Sequence, residues 1–325
     1  YILLVWDNDE LTGILPLRRS FFRRFKVFHW PAYFLLTSHS TLPSNLICRL
    51  AALPNVLEAI RAHLETDGEP WDKLLFNNVP IDSGTVTAIA EVFSGGKMCS
   101  FVSPWQARNG SYYIDIDASF ADYFSALGAV FRKNRKYIHN VMARRGQIEF
   151  SIEHAFDPAS LQRFYEIEDT GWKHVSGAPL NRNSLHGKYF IELARMLAGR
   201  GLFRLCSLRY GGKIIAMVYG MEFKGTFHFI KLAVDYNHPE TRRVAPGHVI
   251  QYYLLRYCFD NGYKKSDFLG GCAQYESHWT KKINHKLQIT ICYRRTAAQK
   301  ARFIIRESIL YAWKKAANRI AKDEH

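Results

Sequence analysis

The clearest hydrophobic pattern lies in the second half of the chain. There Leu202 to Leu208, Ile214 to Phe223 and Thr226 to Val234 are apolar-rich runs separated by Tyr210-Gly211-Gly212-Lys213 and Lys224-Gly225. Short strand-like runs broken by glycine-containing turns predict an antiparallel meander. After a polar loop, Asp235 to Val244, the pair Pro246-Gly247 opens a segment whose apolar residues Ile250, Leu254, Tyr257 and Cys258 recur at helical spacing until Asn261-Gly262. Proline loses no needed donor in a first helical turn, so a helix is predicted from Pro246. Tyr263 to Leu269 reads as a further strand running into Gly270-Gly271.

The first half opens in the same order, with strand-like runs at Tyr1 to Trp6, Gly13 to Leu17 and Lys26 to Trp30, then a helical pattern from Pro54 through Val56, Ile60 and Leu64. Trp71 and Phe76 follow Pro54 by 17 and 22 residues, and Tyr263 and Phe268 follow Pro246 by the same intervals. A duplicated unit of three strands, helix and strand is therefore predicted. Helices are expected at Ala118 to Arg145, Leu161 to Trp172 and Leu185 to Ala198. The expected fold class is α/β (α+β), with two units that each hold a mixed, largely antiparallel sheet flanked by helices. The expected divisions are 1–118, 119–295 and a basic amphipathic helical tail at 296–325, where Ile305, Ile309, Ala312, Ala316 and Ile320 form an apolar stripe.

Charge separates the two halves. Residues 1–118 carry 10 Lys/Arg against 12 Asp/Glu, and residues 119–325 carry 34 against 17, within an overall formal charge of +15. Such a field favours a polyanionic partner: a nucleotide-bearing substrate, RNA or an anionic membrane surface. Phe131 to Arg145 and the tail concentrate it. With 48% apolar and 22% charged residues the composition is that of a globular chain, and no apolar run approaches the ~18 residues of a membrane span. Six cysteines, at 48, 99, 206, 258, 272 and 292, form no CxxC pair, so reduced thiols and a cytoplasmic location are expected. No metal-ligand spacing stands out among the 13 histidines, and no metal is expected.

The copies differ where chemistry is expected. Pro246-Gly247 is preceded by Arg242-Arg243-Val244-Ala245, whereas Pro54 is preceded by Leu50-Ala51-Ala52-Leu53 and followed by Asn55. A helix start with free N–H groups, a positive dipole end, a glycine and two arginines suits a pyrophosphate. Neither GxxxxGK[ST] nor GxGxxG occurs in a useful place, which removes the usual ATP and dinucleotide fingerprints.

The order of these elements, together with Phe131-Arg132-Lys133-Asn134-Arg135-Lys136, Ala233-Val234-Asp235, Ala245-Pro246-Gly247, Gly262, Asp267-Phe268-Leu269-Gly270-Gly271 and Tyr275, resembles the GNAT superfamily of acyltransferases, in particular its CelD-like members. Gly13-Ile14-Leu15-Pro16-Leu17 is similar to their N-terminal strand, so the resemblance spans about residues 1–285. Where the family commonly has Lys after that tyrosine, this chain has Glu276. The resemblance implies tandem GNAT-like units, the first degenerate and the second binding acyl-CoA as cosubstrate. It also implies acyl transfer to an amine, on an amino sugar or another exopolysaccharide or envelope precursor, and a relationship to the Fem aminoacyl transferases.

Direct attack of an amine on a thioester needs positioning, a donor for the oxyanion and a proton acceptor. The donor is expected among the backbone N–H groups of Lys231, Leu232, Ala233, Val234 and Asp235, and the phosphates at Arg243, Val244, Ala245, Pro246, Gly247 and His248. Candidate acceptors of the proton are His228, Glu222 and Asp267, and Tyr275 is a candidate to protonate the leaving thiolate. Arg135 and Trp172 are candidates for acceptor binding, beside an acid-rich stretch with Glu166, Glu168 and Asp169. Two other functions fit the same residues: a Fem-like transferase using aminoacyl-tRNA, and a non-catalytic scaffold that binds RNA or an anionic membrane through Arg132 to Arg145 and the tail.

Overall fold

The computed structural model describes residues 1–24, 28–36, 45–66, 71–95, 97–106, 110–170, 184–270 and 273–293, with five isolated positions of the tail. The predicted tail helix otherwise lies outside the described residues, as do Trp172 and Cys272. The chain forms two compact units, residues 1–110 with 284–325 and residues 111–283.

The first unit holds strands β1 (Ile2–Asp7), β2 (Glu10–Arg24), β3 (Phe28–Leu35), β4 (Ile47–Cys48), β5 (Lys73–Pro80), β6 (Ser94–Gly95) and β7 (Met98–Gln106). Its helices are α1 (Leu53–Thr66) and α2 (Thr85–Val92). Its sheet runs β1-β2-β3-β5-β15-β7-β6, where β15 is Lys286–Tyr293. Leu15 and Leu17, two apart on β2, share a face and pack with Val56, Leu57 and Ile60 of α1.

The second unit contains β8 (Ser111–Asp115), α3 (Phe120–Ala126), α4 (Ala129–Arg145), β9 (Ile148–Glu153), α5 (Pro158–Asp169), α6 (Leu185–Gly199), β10 (Phe203–Tyr210), β11 (Lys213–Phe223) and β12 (Thr226–Val234). It continues through α7 (Thr241–Val244), α8 (Pro246–Asp260), β13 (Lys265–Asp267), α9 (Ala273–Glu276) and β14 (Ile283–Asn284). The strand order is β14-β8-β13-β12-β11-β10-β9. Helix starts follow local chemistry. The side chain of Ser119 accepts the Asp122 N–H at α3, Asp157 accepts those of Ala159 and Ser160 with Pro158 in the first turn of α5, and Ser184 accepts that of Gly187 at α6. The expected single helix from 118 to 145 breaks at Leu127-Gly128, where Leu127 is extended.

Both faces of the second sheet are covered, which explains the unbroken apolar runs of β10 and β11. Cys206, Leu208, Ala216 and Val218 join Ile250 and Leu254 of α8 and Ile138 and Met142 of α4. Leu205, Met217 and Tyr219 join Phe164 of α5 and Phe190 of α6.

The duplicated order is present. In each sheet three antiparallel strands lead through a helix to a strand parallel to the third: β1-β2-β3, α1 and β5 in one, β10-β11-β12, α8 and β13 in the other. The antiparallel strand beside that fifth position comes from elsewhere in sequence: β15 beside β5, and β8 beside β13. Residues 111–118 and 284–295 therefore fall in the units opposite to those expected from divisions at 118 and 295. Periodicity identifies such strands but does not say which sheet they enter. Tyr263 to Leu269 also forms a shorter strand than expected, because Leu269 takes a left-handed φ of 57° and its N–H bonds the Asp267 side chain at 2.7 Å.

Candidate functional site

β12 is paired on one edge along almost its whole length and on the other only at its start. Against β11 its register shifts between Tyr219 and Gly220, which oppose Lys231 and Phe229, so Ile230 is an extra, bulged residue. Against β13 it pairs in parallel only through Thr226, Phe227 and His228. Past His228 the pairing stops, because β13 ends at Asp267. The bond from the Asp235 N–H to the Ile215 carbonyl sets the alternation with β11, which leaves the N–H groups of Leu232 and Val234 on the open edge. The Val234 carbonyl, on that same edge, lies 3.2 Å from the Thr170 hydroxyl, and Thr170 also accepts the Tyr236 N–H at 3.0 Å.

His228 and Asp267 are register partners at the point where the pairing stops. His228 Nδ1 is buried without a hydrogen-bond partner among the described residues. Burial lowers the pKa of His228 against the opposing pull of Asp267, so the imidazole is neutral at pH 7. Asp267 is buried, and its Oδ1 holds the Leu269 N–H.

The bulge puts Ile230 and Lys231 in succession on the face covered by α5 and α6. Lys231 Nζ lies 3.2 Å from Glu168 Oε1, and the carboxylate side chain is 3% exposed. Of the acid-rich stretch only Glu168 turns inward; Glu166 is exposed and paired with Arg163 at 3.1 Å, and Asp169 is exposed. Lys231 thus contributes a structural ion pair. Ala233 is fully buried on the same face.

Glu222 does not join this site. It opposes Phe227 at the start of β12, whereas Val234, at the end that feeds α8, opposes Ala216. His228 opposes the neighbouring Met221, so Glu222 is set apart by its partners and not by distance along the sheet. Burial would raise the carboxyl pKa, but the Tyr263 hydroxyl at 2.6 Å and the Arg204 guanidinium at 2.5 Å hold it below the usual range. Glu222 is an ionised clasp held by Arg204 and Tyr263.

The loop before α8 is more self-satisfied than its sequence predicts. The N–H groups of Arg243 and Val244 bond to Glu240, that of Ala245 to Thr241, and those of His248 and Val249 to Ala245. Ala245 takes the left-handed conformation (φ 48°, ψ 68°) and ends α7, while Val244 is buried. Pro246 has no N–H, so Gly247 supplies the first turn's remaining donor. A Cβ on Gly247 would lie 3.0 Å from Leu232 and 3.6 Å from Tyr275. This glycine serves a close approach between helix and strand rather than an open cradle. Arg242 and Arg243 are exposed, and Arg243 reaches Glu240 at 3.7 Å.

Beside this first turn lies an aromatic cluster. His248 stacks on Tyr275 with ring centroids 4.6 Å apart, and the Tyr275 hydroxyl donates to the Gly247 carbonyl at 2.7 Å. The Trp279 indole donates to His248 Nδ1 at 3.1 Å, which places the ring proton on Nε2. Phe131 of α4 stacks on His278 and meets Trp279 edge-on. Burial, with Arg135 and His278 nearby, pushes the His248 pKa down to about 3. Arg135 sits here, against α8, and Glu276 is buried. Trp279 and Thr170 carried no signal in the sequence, being one aromatic and one hydroxyl among many.

Residues 129–277 match the model of the acetyltransferase (GNAT) domain family. No curated protein matches the chain in sequence. Among solved structures, L-PGS from Bacillus licheniformis superposes with a TM-score of 0.55 at 12% identity, covering 94% of this chain and 88% of its own. FemX does so with a TM-score of 0.53 at 13% identity, covering 89% and 87%. A conserved protein of unknown function from Bacteroides thetaiotaomicron gives 0.50 at 13% identity, covering 81% and 79%. At these identities the likeness is one of fold. The fold is two mixed sheets flanked by helices, and most of the second unit is similar to the acetyltransferase (GNAT) domain family.

Proposed function

We propose that the protein is an N-acyltransferase that moves an acyl group from an acyl-CoA thioester to an amine by direct attack, with the chemistry in the second unit. The observation that carries this reading is the opened edge of β12. A bulge at Ile230 and the end of pairing with β13 after His228 leave the Leu232 and Val234 N–H groups on an edge that no described strand covers. A thioester carbonyl held along that edge places its developing oxyanion on one of these donors. This reading assigns the donor's phosphates to Arg243 and the Gly247 N–H, at the positive end of α8. His228, neutral and in the last pair before that edge, takes the proton from the ammonium acceptor, directly or through water, with Asp267 beside it. Tyr275, already donating to Gly247, holds the first turn of α8. The acceptor is an amine on a sugar or envelope precursor, as the CelD-like resemblance suggests.

A second reading, transfer from aminoacyl-tRNA, is favoured by the exposed basic residues Lys133, Lys136, Arg144 and Arg145 along α4. Binding of that kind falls steeply with salt.

Calorimetric titration with acetyl-CoA and a longer acyl-CoA at moderate salt tests the choice. Saturable binding of a CoA thioester is expected. A protein that binds no CoA but binds a tRNA acceptor stem in a salt-dependent manner belongs to the second reading.

A further inference from the structure

Arg135 lies on the buried stripe of α4 with Ile138 and Met142, is 9% exposed, and forms no ion pair among the described residues. Its Nε and Nη1 are buried without a hydrogen-bond partner, although Phe131 offers a ring face 5.4 Å away. An unpaired buried guanidinium costs folding free energy unless something outside the fold completes it. Two cavities meet at this side chain. One, of about 150 Å³, lies between Lys136 and Asn140 of α4 and Val249 and Tyr252 of α8. The other, of about 430 Å³, opens past Phe131, Asn134 and His278. Arg135 and His248 line both. The smaller alone exceeds the ~30 Å³ share of a water molecule.

We infer that Arg135 and the His248 side chain form a phosphate seat, separate from the Arg242-Arg243 loop, that grips a phosphate group of the donor. A planar fork of donors matches a phosphate in a bidentate manner, and a buried fork is worth more than exposed arginines. His248 adds an Nε2–H donor that stays neutral, since the Trp279 indole occupies its other nitrogen. The seat rests on the donor reading above: that reading makes its ligand part of a CoA thioester.

Inorganic pyrophosphate, CoA and 3′-dephospho-CoA are the probes, titrated into wild type, Arg135→Met and Asn140→Asp. Arg135→Met keeps volume and removes charge. It should bind pyrophosphate and CoA at least ~10-fold more weakly, a lost charge-assisted pair, while its ligand-free melting temperature stays level or rises. Asn140→Asp places a carboxylate in the cavity without truncating anything buried, and should weaken both ligands in the same direction. A smaller loss with dephospho-CoA than with CoA identifies the 3′-phosphate as the group held. Arg135→Met and Asn140→Asp proteins that bind CoA like wild type overturn the seat and leave the acyl-CoA reading standing. Arg135-dependent pyrophosphate binding without CoA binding supports the seat and overturns the donor reading. Wild type that binds neither probe overturns both.

Discussion

The two units make the same corner and finish it differently. In the first, β3 pairs with β5 through Ala32–Lys73, Tyr33–Leu74 and Phe34–Leu75, and β3 ends one residue later. In the second, β12 pairs with β13 through Thr226–Lys265, Phe227–Ser266 and His228–Asp267, and β12 continues for six residues with its edge open. In each copy the parallel strand begins two residues after the aromatic, Trp71 or Tyr263, that the internal repeat marks. The copies can thus be aligned pair for pair: Phe34 and Leu75 stand where His228 and Asp267 stand. The register of β2 against β3 is unbroken, whereas that of β11 against β12 contains the bulge. The two corners share one architecture and differ in the length of strand beyond the last pair, in one bulged residue and in the side chains of that pair.

The comparison is sharpened most by copying the first corner into the second. His228→Phe removes the proposed base while filling its space. It should lower kcat by ~10²–10⁴-fold, the usual contribution of a general base, with CoA affinity unchanged. Steady-state rates with an amine acceptor and titration with CoA read the two separately, and an unchanged kcat removes His228 from the chemistry.

Next in size is the ion pair that the bulge makes possible. Glu168→Gln removes the carboxylate that faces Lys231 and should cost roughly 2–3 kcal/mol, less than the ~3–5 of a fully buried pair because Lys231 keeps 19% exposure. Thermal unfolding measures the loss, and Lys231→Met in the same chain should restore part of it. A double variant no more stable than the single one argues against the pair.

The smallest effect depends on pH and belongs to the second unit. An unfolded histidine takes up its proton near pH ~6.5. In the fold His248 resists protonation until about 3, and His228 is shifted in the same direction. Above pH 7 both states are neutral and the shift has no effect. As pH falls below ~6.5 the unfolded chain binds protons that the folded chain refuses, so stability declines by up to ~1.4 kcal/mol per unit for each group and levels off at its folded pKa. Melting temperatures of wild type and His248→Gln at pH 7.5 and 5.5 check this. The variant should lose less on acidification, and equal losses would refute the assignment.

Much of the fold could be read from local pattern. Runs bounded by glycine turns marked the meander, and Pro246 with Asn261-Gly262 bracketed α8 almost to the residue. The matched intervals from Pro54 and Pro246 exposed the repeat, because a helix and its return strand keep their length when the layers they pack between do. Other features depend on partners far away in sequence. Alternation in Lys286–Tyr293 shows a strand but not its sheet. A bulge at Ile230 is invisible inside an apolar run. The clasp of Glu222 by Arg204 and Tyr263 likewise joins residues 18 and 41 apart in sequence, which local pattern does not connect. Arg135 did carry a signal, since Phe131, Arg135, Ile138 and Met142 follow helical spacing and mark it as the inward-facing arginine of a basic helix.

The placement of β15 between β5 and β7 makes the first unit hostage to the order of synthesis. A ribosome delivers the other strands of that sheet by residue 106, yet the sheet stays split until residue 293 emerges. During the intervening interval β5 and β7 present unpaired edges, the kind of surface that invites pairing with another chain. A message truncated anywhere after the second unit but before residue 286 would therefore damage the end of the protein that was made first.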